Sequence, residues 1–315
     1  MPLDIAVVMD PIGSISIKKD STFAMLLEGE ERGHRMHYAL PGSLGVSDGL
    51  AMARLAPISV RDQTQDWFTL GTALLRPLAD MQVVLMRRDP PVDAEYIHDT
   101  QVLSLAAAQG VRVLNDPQGL RDMNEKLFAL NFPALCPPTR VSRRPADLRE
   151  FVELHGDCVL KPLDGMGGRS IFRARAGEDN LNVILETLTR DGRELALAQT
   201  FLPAISEGDK RVLLVDGEPI PFVLARIPTG NDFRGNLAAG GRGEARPLSD
   251  SDRRIAEAVG PELARRGMLF VGLDIIGDKL TEINVTSPTC IREIDAQCGT
   301  RIAARLFERI EAHCG

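Results

Sequence analysis

Aromatic residues are scarce in this chain: among 315 residues there are one Trp, two Tyr and 11 Phe, or 4%. The core must therefore be built from Leu, Ile, Val, Ala and Met. Cysteine is scarce as well. Cys136, Cys158, Cys290, Cys298 and Cys314 are odd in number, widely spread and form no CxxC pair, which indicates neither a zinc site nor a disulfide framework. They read as thiols of a reducing cytoplasm. No apolar run approaches the ~18–20 residues that cross a bilayer. Met1-Pro2-Leu3-Asp4 lacks the basic segment and cleavage site of a secretory signal, so a cytoplasmic location is expected. Long Lys/Arg runs are missing, and 37 basic residues face 44 acidic ones for a formal net charge of −7. Nucleic acid and membrane are accordingly not expected as partners. The five histidines are scattered, and no Ser/His/Asp or Cys/His arrangement is evident. What is present is an ordinary globular composition, 44% hydrophobic and 26% charged, with length for about two domains.

The first third alternates strands and helices. Ile5-Ala6-Val7-Val8-Met9 has the unbroken apolar pattern of a strand buried on both faces. Asp20 or Ser21 caps a helix that passes Phe23, Leu26 and Leu27 and stops near Gly33. Strands follow at 36–40, 83–86 and 111–114, with a helix over 93–109. This order predicts a parallel sheet covered by helices on both faces. Ligands of such sheets lie beyond the carboxyl ends of the strands, here 10–21 and 87–91. After residue ~120 the pattern becomes α+β. Helices are predicted at 148–155, 181–190, 249–266 and 300–312, and hairpins at 211–226 and 271–285.

Three features of this second part carry chemistry. Lys161-Pro162-Leu163-Asp164-Gly165-Met166-Gly167-Gly168-Arg169-Ser170 is a glycine loop between strands. Its N–H groups can cover a polyphosphate, with Lys161 adding a charge. No Gly-Lys-Ser/Thr follows, so it is not a Walker loop. In Thr281-Glu282-Ile283-Asn284-Val285, residues 282 and 284 leave one face of a strand and offer hard oxygens to Mg²⁺. Asp274 is a third ligand only in one register. A two-residue turn at Gly277-Asp278 pairs 274 with 281, facing away from Glu282, whereas a three-residue connection through Lys279 sets Asp274 opposite Glu282. The third feature, 227–243, reads IPTGNDFRGNLAAGGRG and follows Arg226, with Arg211 on the partner strand. A loop this long predicts a lid that closes over a reactive intermediate. Taken together, the features describe an enzyme that holds MgATP between two layers and works by positioning and charge stabilisation.

At these residues the sequence resembles the ATP-grasp superfamily and, within it, the bacterial glutathione synthetase family. The motifs are VMDPIGSISIKKDS, LMRRDPP, LRDMNEKLF, LKPLDGMGG, GDKRVLLVDGEP, LARIP, RGNLAAGGRGE and FVGLDIIGDKLTEINVTSPTCIREI. The resemblance implies an α/β N-terminal parallel-sheet (pre-ATP-grasp) domain over 1–122, then a two-subdomain ATP-grasp fold over 123–315. The lid subdomain would cover about 138–202, and the C-terminal subdomain about 203–315, with a mobile loop at 227–243. Lys126, Lys161, Gly165, Gly167 and Gly168 resemble ligands of the ATP phosphates, Gln199, Phe201 and Leu202 the adenine hinge, and Asp209 a residue near the ribose. Thr200-Phe201 departs from the Asn-Tyr expected there. Asp274, Glu282 and Asn284 resemble the Mg²⁺ ligands, with Mn²⁺ expected to substitute. Arg211 and Arg226 would face the transferred phosphoryl group, and Arg234, Gly240, Gly241 and Arg242 would belong to the lid. Ser14, Lys18 and Arg87, with Ser287 and Thr289 opposite, would take the dipeptide. The implied reaction joins γ-glutamylcysteine to glycine through an acyl phosphate at the expense of ATP, in a homotetramer. Two alternatives are another ATP-grasp peptide ligase and a non-catalytic, synapsin-like ATP-binding protein.

Overall fold

The apolar run near the start forms β1 (Asp4–Val8), with residues 5–8 fully buried. It leads to α1 (Ser21–Glu31), whose cap is Asp20, accepting the Phe23 N–H at 2.6 Å. β2 (Arg35–Ala39) runs parallel to β1. The next stretch carried no sequence-based prediction. It forms β3 (Leu44–Ser47), β4 (Leu50–Val60), β5 (Phe68–Leu70) and β6 (Leu74–Pro77), with β4 antiparallel to β2, β3, β5 and β6. β4 alternates buried and open positions, but Ala51, Ala53 and Ala56 fill several of the buried ones, a weak hydrophobic signal. β7 (Val83–Met86), α2 (Ala94–Ala108), β8 (Arg112–Leu114) and α3 (Pro117–Asp122) complete this part. The sheet order is β3-β4-β2-β1-β7-β8. Its centre is parallel, as expected, and its flank is an antiparallel extension.

The structure is a computed structural model that describes residues 1–165, 167–230, 232–235, 237 and 240–314. Position 166 of the glycine loop and positions 231, 236, 238 and 239 of the 227–243 stretch lie outside the described residues.

Two further sheets follow. β9 (Thr139–Ser142), α4 (Pro145–His155), β10 (Asp157–Pro162), β11 (Phe172–Arg175), α5 (Leu181–Thr189) and β12 (Ala196–Thr200) give an antiparallel sheet ordered β11-β10-β12-β9. Leu148, Phe151, Leu160 and Leu185 form its own core against α4 and α5. β13 (Asp209–Val215), β14 (Glu218–Ile227), β15 (Arg242–Pro247), α6 (Asp250–Arg265), β16 (Phe270–Ile276) and β17 (Lys279–Asn284) build a second sheet ordered β15-β14-β13-β16-β17. α7 (Ile291–Cys298) and α8 (Ile302–Cys314) close the chain. The β13–β14 turn has positive φ at both Asp216 and Gly217, as a two-residue hairpin of matching twist requires. A Cβ on Gly260 of α6 would stand 2.1 Å from the Gly217 carbonyl, so only glycine lets the helix touch that turn. Ser249 and Asp252 form a reciprocal capping box at the start of α6. β15 and α7 lay outside the sequence-based elements, since β15 is a polar edge strand and α7 is only eight residues long.

A side chain joins the first sheet to the third. Asn115, just after β8, donates through Nδ2 to the carbonyls of Phe270 (2.8 Å) and Val285 (2.7 Å), and its Oδ1 accepts the Phe270 N–H at 2.9 Å. Nearby, α8 packs on α1. There Arg32 donates to Glu28, Glu311 and the carbonyl of Ala304.

Candidate active site

A cavity of about 330 Å³ lies between the second and third sheets, with Asp89 and Pro90 of the N-terminal part at its margin. Lys161 enters it from the end of β10 and donates to Glu282 Oε1 at 3.0 Å. Lys126 donates to the carbonyl of Gly165 at 2.7 Å, and its Nζ stands 3.9 Å from the same Glu282 oxygen. Both lysines are buried. Gly167 and Gly168 line the cavity with positive φ (63° and 81°), a conformation suited to glycine.

Register brings the arginines to their partners. Arg211 on β13 lies opposite Asp274 on β16, and Asp209 lies opposite Arg226 on β14. Arg211 grips Asp274 with two bonds, Nε to Oδ1 at 2.7 Å and Nη2 to Oδ2 at 3.1 Å. Arg226 Nη2 stands 3.0 Å from Asp274 Oδ1 and 2.6 Å from Asp209 Oδ2. Arg211, Arg226 and Asp274 are all at most 6% exposed. Burial works against the Asp274 charge, but Arg211 and Arg226 outweigh it and hold the carboxyl below the usual range. Glu282 is held low in the same way, by Lys126 and Lys161 against burial. At Asp209 burial prevails over Arg226 and pushes the carboxyl up to about 6. Its Oδ1 is buried without a partner among the described residues. The cations of the site thus each face a carboxylate.

The β16–β17 register resolves the Asp274 alternatives in a way neither loop length anticipated. Ile276 pairs with Lys279 and Ile275 with Leu280, so the turn is the two-residue Gly277-Asp278. The register then shifts, leaving Thr281 unpaired, and Asp274 comes opposite Glu282. The expectation that this pairing needs a three-residue connection is thus corrected, because a β-bulge supplies the extra residue. Thr281 Oγ1 donates to the Asp274 carbonyl at 3.1 Å and fastens the bulge. Asn284 donates its Nδ2 to the Gly272 carbonyl at 3.2 Å, and its Oδ1 has no partner among the described residues. Glu282, Asn284 and Asp274 all line the cavity. Two carboxylates and an amide oxygen are a donor set of the kind Mg²⁺ takes.

At the far end of the cavity Gln199, Phe201 and Leu202 follow one another along and just beyond β12. The Phe201 N–H is already donated to the Asp157 carbonyl at 2.9 Å, while the Leu202 N–H has no acceptor among the described residues. The Phe201 ring lies under the Arg173 guanidinium, 3.5 Å from ring centroid to Cζ. Of the expected lid residues, Arg234 lines the cavity and donates to the carbonyl of Gly168 at 2.8 Å, linking the 227–243 stretch to the glycine loop. Gly240 accepts from Thr229, while Arg242 begins β15, faces solvent and pairs with Glu244. Neither Gly240, Gly241 nor Arg242 is part of the cavity wall.

The expected dipeptide residues separate into two groups. Ser287 and Thr289 line the cavity. Ser14 and Lys18 stand exposed on the segment before α1 and are not part of the wall. Arg87 is buried and bound behind the wall: it donates to Thr22 Oγ1 (3.1 Å) and to the carbonyl of Pro288 (2.9 Å), and packs on Phe270. It therefore fixes the 287–289 segment from behind. The sequence reading missed Glu125, Asp89 and Cys290 on the wall. Glu125 and Asp89 stood inside quoted motifs, beside Lys126 and Arg88. Gly235 was also missed: a Cβ there would stand 2.2 Å from the Arg226 carbonyl, so the backbone at Gly235 passes directly over β14.

Comparison with known proteins gives this geometry its context. The family described as prokaryotic glutathione synthetase, N-terminal domain, matches residues 3–121, and prokaryotic glutathione synthetase, ATP-grasp domain, matches residues 125–299. A glutathione synthetase of Xanthomonas campestris pv. campestris is 66% identical, with 99% of each chain covered. That of Escherichia coli (strain K12) is 54% identical, with 98% of each covered. Among solved structures, D-cycloserine synthetase DcsG shares the fold at TM-score 0.67 and 14% identity, covering 99% of this chain and 100% of that one. The ATP-grasp ligase PsnB does so at TM-score 0.64 and 19% identity, covering 99% of each. No described helix is long and apolar enough to cross a membrane. The chain belongs to the prokaryotic glutathione synthetase family, with the ATP-grasp fold.

Proposed function

We propose that this chain is an ATP-dependent carbon–nitrogen ligase that joins γ-glutamylcysteine to glycine, releasing glutathione, ADP and phosphate. The observation that carries the reading is the buried Arg211–Asp274–Arg226 group beside Lys126 and Lys161, in a full-length member of this family.

ATP lies with its base against 199–202 and its ribose toward Asp209. Its phosphates lie under the glycine loop, where Lys126 and Lys161 neutralise them. Glu282, Asn284 and Asp274 would hold Mg²⁺, with Mn²⁺ able to take its place, and the ion would supply Lewis-acid charge to the phosphates. A solved form of PsnB, at TM-score 0.60, carries Mg and ADP. The dipeptide lies against Ser287 and Thr289, a segment that Arg87 holds from behind. A cysteinyl carboxylate oxygen attacks the γ-phosphorus, the bond to ADP breaks, and an acyl phosphate forms. Arg211 and Arg226 hold the developing negative charge in a dry site. The glycine nitrogen, having lost one proton to solvent, attacks the acyl carbon. The carbon–oxygen bond to phosphate then breaks, and the second nitrogen proton leaves with phosphate or solvent. Arg234, tied to the glycine loop, closes the lid over the intermediate and excludes water.

The N-terminal domain ends near residue 122 in this reading, and the chain works as a homotetramer in the cytoplasm. Sedimentation tests the assembly. For the activity, ADP and phosphate release is measured with each substrate omitted in turn; turnover that does not require both γ-glutamylcysteine and glycine contradicts it.

A further inference from the structure

Five carboxylates line the cavity: Asp89, Glu125, Asp209, Asp274 and Glu282. Three of them face cations, Asp209 at Arg226, Asp274 at both arginines and Glu282 at Lys161. Asp89 is exposed at the rim, bonded to Ser287 Oγ. Glu125 alone combines a sheltered position with no cation partner among the described residues. Its Oε1 accepts from Thr286 Oγ1 at 2.8 Å and from the Thr286 N–H at 3.4 Å, and its backbone carbonyl accepts the Ile283 N–H at 2.8 Å. The side chain is thereby fixed at the end of β17. Its Oε2 has no partner among the described residues and is not fully enclosed, so it keeps open surface on a residue that lines the cavity. A half-satisfied carboxylate in such a place is costly unless something donates to it. Burial indeed raises the Glu125 pKa, with Thr286 acting against it.

We propose that Glu125 Oε2 receives the ammonium group of the amine substrate, glycine, and makes the site selective for it. This rests on the ligase reading above. Glu125 adjoins Lys126, and its backbone is bonded to the strand that carries Glu282 and Asn284, so it stands where phosphoryl transfer occurs in that reading. The reacting carboxylate of γ-glutamylcysteine occupies that junction. The ammonium of the dipeptide is at the opposite end of that molecule. An ammonium at the junction therefore belongs to the second substrate. The bonds made and broken are those of the ligation itself.

The test uses Glu125→Gln, which keeps volume and the Thr286 contact, together with Glu125→Asp and Asp89→Asn. Acyl phosphate is trapped with hydroxylamine, a nucleophile that is mostly uncharged at neutral pH and needs no carboxylate. In Glu125→Gln the ratio of glycine-dependent to hydroxylamine-dependent turnover falls at least tenfold, mainly through a higher KM for glycine, and Glu125→Asp restores part of it. Unchanged glycine KM overturns the proposal. So does a rise confined to γ-glutamylcysteine, an equal loss with both nucleophiles, or a glycine effect found in Asp89→Asn but not in Glu125→Gln. Failure of the unsubstituted protein to form hydroxamate contradicts the ligase reading instead. A thermal melt of each variant separates misfolding from these outcomes.

Discussion

Asp274 is shared by two arginines from adjacent strands, with Oδ1 2.7 Å from Arg211 Nε and 3.0 Å from Arg226 Nη2. Each arginine is thus buried and fixed by a carboxylate, and the ligase reading proposed above places it where charge would develop. Replacing Arg226 by Ala should lower kcat by ~10²–10³-fold, the scale of losing one donor to a transition-state oxyanion. ATP affinity should fall much less, because the proposed reading assigns the nucleotide's base, ribose and phosphates to other residues. Equal losses in kcat and ATP binding contradict that role. Removal also strands Asp209, while Asp274 keeps both bonds from Arg211; breaking a buried pair costs about 3–5 kcal/mol, which chemical denaturation would register.

The bulge at Thr281 makes a second prediction. Thr281→Val removes the hydrogen bond to the Asp274 carbonyl and should destabilise the fold by about 1 kcal/mol. The half-saturating Mg²⁺ concentration should rise as the Asp274–Glu282 pairing loosens. An unchanged metal requirement would mean that the bulge persists without its hydroxyl.

Arg234 ties the 227–243 stretch, the lid of the proposed reading, to the glycine loop through the carbonyl of Gly168. Arg234→Ala should let water reach the intermediate, so more than one ADP is released per tripeptide formed. A ratio that stays at one, with slower turnover, would place Arg234 in substrate binding instead.

The carboxylates of the site should respond to pH in opposite senses. Asp274 and Glu282 are held below their ordinary values, so their stabilisation is present above the ordinary carboxyl pKa of ~4 and is lost as pH falls through their native values. Asp209 is pushed up to about 6, so the folded state binds its proton more tightly than the unfolded chain. Its contribution therefore declines as pH rises from ~4 to 6. Burial also raises Asp20, Glu125 and Glu293, so urea titrations across that interval should show a decline that is smaller in Asp209→Asn than in the unsubstituted protein.

Thiol reactivity should follow burial. Cys314 is exposed, Cys298 is half-buried, and Cys136, Cys158 and Cys290 are buried, with burial pushing Cys136 and Cys158 up to about 11. Alkylation at neutral pH should label Cys314 first, and the three buried thiols only on unfolding. Early labelling of Cys136 would contradict the packing around it.

Much of this molecule was legible because its signals are local. Unbroken apolar runs located β1 and β7, and Asp93 and Ser249 marked the starts of α2 and α6. The residues on the cavity wall came from motifs with a clear chemistry, lysine beside glycines and Glu-x-Asn on a strand. What escaped depends on distant partners. β4 buries alanines, which carry little hydrophobic signal, and β15 is polar because it is an edge. Arg87 looked like a substrate contact, yet it serves from behind, since only the fold reveals that the Pro288 carbonyl lies across from it. A bulge likewise leaves no mark in turn length, and so the Asp274 register could not be read from the loop.

Asn115 behaves as a short length of strand made from a side chain. Its amide donates to two carbonyls and accepts one N–H across the junction between the first and third sheets. Opening that junction would strand three buried hydrogen bonds at once, so the first and third sheets should melt in a single step. Val285 stands just before the Thr286–Thr289 stretch of the cavity wall, so the bonds that make these sheets one thermodynamic unit also fix that wall against the N-terminal sheet.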